Sequence, residues 1–296
     1  MALINRFFGN RDADDAPDDM VSHSQQNEGA ALQVVFRGPL DFSAAELEQA
    51  LNEFHPELAA ACCELVSDIE SKYVGLIGWG PHVVRIVGID APMPSEAIEH
   101  CVAPSHYGPE LKQLVREHRS HLLLWYAGQE ESVLEQYVVL TAIAGVLERF
   151  GAIAVLNELA STSFPTVALT GKGVEGDILE LLRTLPLTCL YCGLVKYDDP
   201  PDSRVWMRTF GASLFGLPDL ASHTAGHHEG QRYFDIFNSI LSYMLDTGRL
   251  LAAGHTMQLG ADDYLRCRAP TEDEPWLQEE TPVLVLEIIR ANERNR

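Results

Sequence analysis

Residues 205–254, VWMRTFGASLFGLPDLASHTAGHHEGQRYFDIFNSILSYMLDTGRLLAAG, decide how this chain is read. The run opens as a strand, because Val205, Trp206, Thr209 and Phe210 are residue types that suit a half-buried pleated surface. It turns at Phe215-Gly216-Leu217-Pro218-Asp219 and crosses a polar loop carrying His223, His227 and His228. From Tyr233 to Leu245 the spacing predicts a helix. Phe234, Phe237, Ile240, Leu241, Met244 and Leu245 fall on one apolar stripe at i, i+3, i+4, i+7. A strand, a shaped loop and a helix in that order make a natural place for a site, yet no known catalytic signature lies within it.

Working outward, Leu187 to Tyr197 reads as a strand, preceded by a helix from Asp177 to Leu185 and followed by the acidic turn 198–202. Downstream come a strand at His255–Leu259, a second at Tyr264–Arg268, an acidic loop Thr271–Glu280 and a final strand Val283–Ile289. Residues 177–296 are thus expected to form a C-terminal α+β half. The glycines and proline of Thr162–Gly176 mark the boundary, and residues 31–160 form an N-terminal α/β half.

That N-terminal half opens with a strand from Leu32 to Arg37. Ser43 and Glu46 have capping-box spacing before a helix bearing Leu47, Ala50, Leu51 and Phe54. Pro56 is expected to start a second helix running to Ile69, with Cys62 turned into the core. Tyr73–Gly78 and His82–Ile89 read as a hairpin around Trp79-Gly80-Pro81. Helices follow near Ala97–Cys101 and at Glu110–Arg119, with Pro109 at a first helical position. The strand His121–Tyr126, a helix opened by Ser132 and Glu135, and the strand Ala152–Leu156 resemble a βαβ unit, implying some parallel pairing. Residues 1–30, with Asp12, Asp14, Asp15, Asp18 and Asp19, have the composition of a disordered acidic leader. The expected class is α+β: mixed β-sheets with flanking helices in two associated halves.

Charge narrows the function. Forty-three Asp and Glu against 21 Lys and Arg give a formal net charge of −22 over 296 residues. Such a field repels nucleic-acid phosphates and anionic lipids and speeds encounter with a basic partner. Neither nucleic acid nor membrane is expected as a partner. No apolar run reaches membrane-spanning length, no secretory signal opens the chain, and the six cysteines lack disulfide-scaffold density, so a cytoplasmic location is expected.

Two constellations carry chemistry. Cys189 and Cys192 form C-x-x-C, but on a strand positions i and i+3 face opposite sides, so the sulfurs should not converge on a metal. His223, His227 and His228, with Asp219 and Glu229 nearby, offer acid–base or metal-ligand chemistry, which defines an alternative reading as a hydrolase or small-ligand protein. Gly171-Lys172-Gly173 lacks phosphate-loop spacing, and Gly75, Gly78 and Gly80 do not match a dinucleotide fingerprint. No cofactor, metal or catalytic residue is assigned. Protein recognition fits better. Glu272-Asp273-Glu274-Pro275-Trp276 joins a tryptophan to three carboxylates, and these residues, with Asp219 and His223, are the expected partner-binding set.

The segments FGLPDLASH, DIFNSILSYMLDTG and Tyr264–Arg268 before Ala269-Pro270 resemble an uncharacterised bacterial domain-of-unknown-function family. EHCVAPSHYG and LEQYVVLTAIAGVL resemble its N-terminal part. Proteins of this kind occur near polymorphic toxin and type VI secretion loci, where immunity proteins are cytoplasmic and often acidic. The resemblance implies no catalytic residues. It points to an immunity protein, and the charge extends that expectation to a non-enzymatic protein that docks an acidic and aromatic surface on a cognate basic toxin, such as a nuclease.

Overall fold

A computed structural model describes residues 29–66, 72–173, 175–199, 204–260, 262–278 and 281–290. The acidic leader lies outside these residues, apart from its last two, as does the end of the second expected helix. In chain order the elements are β1 (Ala31–Phe36), α1 (Ala44–Phe54), β2 (Cys62–Val66), β3 (Tyr73–Trp79), β4 (His82–Ile89), α2 (Ser95–Val102) and α3 (Pro109–Arg116). There follow β5 (Ser120–Tyr126), α4 (Val133–Leu147), β6 (Ala152–Asn157), β7 (Thr162–Pro165), α5 (Ile178–Arg183), α6 (Leu187–Leu190), β8 (Gly193–Asp199) and β9 (Arg204–Phe210). The chain then forms β10 (Asp219–Thr224), α7 (Gly230–Thr247), β11 (Thr256–Gln258), β12 (Asp263–Arg268) and β13 (Val283–Arg290). One sheet has the order β2-β3-β4-β5-β1-β6-β7 and the other β11-β12-β13-β10-β9-β8. The fold is α+β. Two compact units divide the chain: Met1–Met93, Glu117–Val155 and Thr166–Arg183 in the first; Pro94–Arg116, Leu156–Pro165 and Thr184–Arg296 in the second.

In the first unit, α1 starts where its sequence says. Ser43 Oγ accepts from the Glu46 N–H at 3.2 Å, and the Glu46 carboxylate accepts from the Ser43 N–H at 2.8 Å, so both orphan donors are satisfied. Helix α4 is apolar all round, and every residue from Gln136 to Leu147 is buried. Such a helix belongs inside the unit rather than on its surface. Gly145 lets it approach another backbone closely, since a Cβ there would lie 2.4 Å from the Leu169 carbonyl oxygen.

Two expectations fail in this unit. The chain from Pro56 makes only a 3-10 turn to Leu58 and then strand β2, which pairs antiparallel with β3. Alternation on a strand reverses the cysteine assignment: Cys62 is exposed and Cys63 is buried. Strand β1 lies between β5 and β6 in the sheet and pairs antiparallel with β5. The hairpin β3–β4 stands as expected, with Gly80 at φ +52° in its turn.

In the second unit, α7 runs longer than expected and ends at Gly248, φ +66°, whose N–H donates to the Met244 carbonyl. Tyr233, Phe237, Ile240, Leu241 and Met244 are buried; Phe234 and Leu245 are half-buried. Residues 187–197 are not one strand. After Pro186 they make the one-turn helix α6, and the strand begins only at Gly193. The expected boundary loop holds β7, in this unit, and a 3-10 turn, Thr166–Leu169, in the first.

The main correction is β10. The supposed loop from Asp219 is a strand between β9, antiparallel, and β13, parallel. Its polar side chains hide it from a hydrophobicity reading, but Asp219, Ser222 and Thr224 are each hydrogen-bonded. Asp219 accepts from Thr209 Oγ1 at 3.3 Å and from the Ala212 N–H at 3.1 Å. Ser222 Oγ donates to the Leu286 carbonyl at 2.8 Å, and Thr224 Oγ1 to the Val205 carbonyl at 2.9 Å.

Candidate functional site

Strand register brings the sequence-predicted residues of β10 and the acidic loop to one face of the second sheet. Trp206 lies opposite His223, and Arg208 opposite Ala221, on the β9–β10 ladder. Ala221 is level with Val285, which faces Arg268, while Arg266 faces Glu287. Because side chains alternate along a strand, these residues share a face, and Arg204, two before Trp206, joins them.

The rings on this face are ordered. Trp206 stacks on the His223 imidazole with centroids 4.8 Å apart and planes 13° apart. Trp276 meets Trp206 edge-on at 6.2 Å, the offset arrangement the ring quadrupoles favour. Trp206, Ala221, Leu277 and Val285 form a buried cluster beneath them. Trp276 itself is 46 % exposed.

The loop that carries Trp276 is fastened at both ends of its 3-10 turn, Pro275–Leu277. Arg208 Nη1 donates to the Trp276 carbonyl at 2.9 Å. Arg268 grips Glu274 through Nη1 at 2.7 Å and Nη2 at 2.6 Å, a bidentate pair, and its Nε donates to Glu287 at 2.7 Å. The hydrogen bonds from Arg268 hold the Glu274 carboxyl below its ordinary value, and Thr271 N–H assists. For Glu287, burial acts upward, but Arg268 and Arg266 together outweigh it and hold the group low.

The six expected partner-binding residues therefore separate. Glu272, Asp273 and Trp276 face solvent. Glu274 is turned inward onto Arg268, so only two of the three loop carboxylates are displayed. Asp219 is buried, 2 % exposed, and serves the turn beyond β9. His223 is half-buried under Trp206. Arg204, Arg208, Arg266 and Arg268 were missed by the sequence reading. Their alternation at 204/208 and 266/268 within two strands was the signal available.

The histidines do not gather in a loop. His223 is on β10, whereas His227 and His228 lie in a 3-10 turn, where His227 pairs with exposed Asp198 at 2.7 Å. Cys189 lies in α6 and Cys192 just after it, not on a strand. Burial pushes the Cys189 thiol up to about 11; burial, then Asp219, pushes Cys192 well above the ordinary thiol range. Both shifts follow from burial in the core. Among the described residues, no three His, Cys, Asp or Glu side chains converge as a metal cluster. Among the same residues, no helix is long and apolar enough to cross a membrane.

The fold and this face define an α+β domain with a stapled, tryptophan-bearing loop over an arginine-rich sheet. Residues 208–287, which hold most of that face, match the model of a family described as a domain of unknown function, DUF4261. No curated protein and no solved structure matches the chain.

Proposed function

We propose that this chain is a non-enzymatic protein-binding protein of the immunity type, acting in the cytoplasm to neutralise a secreted type VI antibacterial toxin. The toxin is basic, in the manner of a nuclease, and the acidic surface occupies the cleft it uses for phosphates. The observation that carries this reading is Trp276, a large aromatic left exposed on a loop fixed by Arg208 and Arg268 and flanked by exposed Glu272 and Asp273. A pre-ordered aromatic loses little freedom on docking, and central tryptophans carry a large share of interface energy. The formal charge of −22 supplies the long-range attraction for a basic partner.

The test is a pull-down with this protein as bait from lysate containing the products of its neighbouring genes, followed by titration of any captured toxin's activity. Loss of activity at a one-to-one ratio is expected. Trp276→Ala should weaken binding by about 2 kcal/mol, roughly thirty-fold, mainly through faster dissociation. Glu272→Gln with Asp273→Asn should slow association several-fold at low salt and flatten its salt dependence. Full toxin activity in the presence of excess protein would overturn the reading.

A further inference from the structure

The arginine-rich face encloses a pocket of about 260 Å³ lined by Arg204, Ser222, His223, Arg268 and Glu287. Its charge runs against that of the whole chain. Arg204 and Arg268 line it against the single carboxylate of Glu287, and Arg266 stands behind that carboxylate. The negative charge of the carboxylate in the wall is offset, because Glu287 is bracketed by Arg266 at 2.8 Å and Arg268 at 2.7 Å.

Donors remain for a ligand. A guanidinium has five N–H groups. Arg268 commits four, to Glu287, the Ala269 carbonyl and both Glu274 oxygens, and so keeps one on Nη2. The Arg204 side chain is exposed at the pocket rim and makes no ion pair or side-chain hydrogen bond with the described residues. The His223 ring is already fixed by its stack on Trp206, so a ligand need not order it. The Trp206 indole N–H, buried with its side chain 4 % exposed, has no acceptor among the described residues.

We propose that this pocket binds a small oxyanion, the phosphate or carboxylate group of a metabolite, with Arg204 as its principal contact. Guanidinium groups match both oxyanions geometrically, and a partly enclosed site strengthens the pairing over its value in open water. Size limits the guest to the charged end of a small molecule. This proposal does not rest on the docking of Trp276 on a protein partner, although Arg268 serves both the pocket and the Trp276 loop.

The test is isothermal titration of the full chain with inorganic phosphate and, separately, citrate, at constant ionic strength. Saturable binding of at least one anion is expected, and the one that binds identifies the class. Arg204→Gln should weaken it at least ten-fold. Arg249→Gln, an exposed arginine after α7, should bind as the parent does. Because phosphate stabilises many proteins without binding them, a rise in melting temperature alone does not count. No saturable heat with either anion, or equal affinity in the Arg204→Gln protein, would overturn the proposal.

Discussion

The two long helices show how differently the two units are built. Helix α4 in the first unit is buried on all sides over Gln136–Leu147, and its Gly145 touches backbone. Helix α7 in the second buries one stripe, Tyr233, Phe237, Ile240, Leu241 and Met244, and leaves Gln231, Asp235 and Tyr243 in solvent. The sheets differ in the same sense. Strands β1, β5 and β6 are largely buried, whereas β12 and β13 are half open and, beside the buried β9 and β10, carry Arg266, Arg268 and Glu287 on one face. The first unit centres on a wholly buried helix; the second keeps a polar, ordered face.

Glycine-to-alanine changes in the two helices sharpen that contrast most. Gly145→Ala would push a methyl group against the Leu169 carbonyl, a backbone atom that cannot swing aside, and should destabilise by about 1–3 kcal/mol despite the gain in helix propensity. Gly230→Ala meets only the end of the flexible Lys196 side chain, and its φ of −53° suits alanine. It should be neutral or stabilise by up to about 1 kcal/mol. Thermal unfolding of both variants checks the pair; equal destabilisation would erase the distinction.

The next effect lies on the polar face. Arg268→Gln leaves the inward Glu274 without its bidentate partner and should cost about 1–2 kcal/mol at neutral pH. The sign with pH follows from the carboxyl, which is held below its ordinary value of 4.5. Its stabilisation is fully present above that value and is lost as pH falls through the lower folded value. The gap between parent and Arg268→Gln should therefore close below pH 4.5. A gap unchanged in acid urea titrations would mean the pair contributes nothing.

Much of the α7 helix and of the β3–β4, β12 and β13 strands was legible, because a stripe or an alternation is local. What was not legible depended on distant partners. Asp219–Thr224 looks like a loop by composition and is a central strand because Thr209, Leu286 and Val205 satisfy its polar atoms. Cys62–Val66 has helix-like spacing, and only pairing with β3 makes it a strand. The acidic loop was recognised, but not that Glu274 is used internally, since that requires Arg268 on the neighbouring strand.

The smallest expected effect tests the corrected cysteine positions without touching stability. Cys62 is exposed, while burial, with Glu48 beside it, pushes the Cys63 thiol up to about 12. A thiol reagent at neutral pH should label Cys62 quickly and Cys63, Cys101, Cys192 and Cys267 only after unfolding. Rapid labelling of Cys63 in the native protein would return β2 to a different register.

The most direct measurement of the proposed docking is the association rate with a basic nuclease toxin, the proposed partner, as a function of salt, for the parent and for Glu272→Gln with Asp273→Asn. The docking account predicts fast association in the parent that falls steeply with salt and a slower, flatter response in the variant. Identical curves for the two proteins would contradict docking through the Trp276 loop.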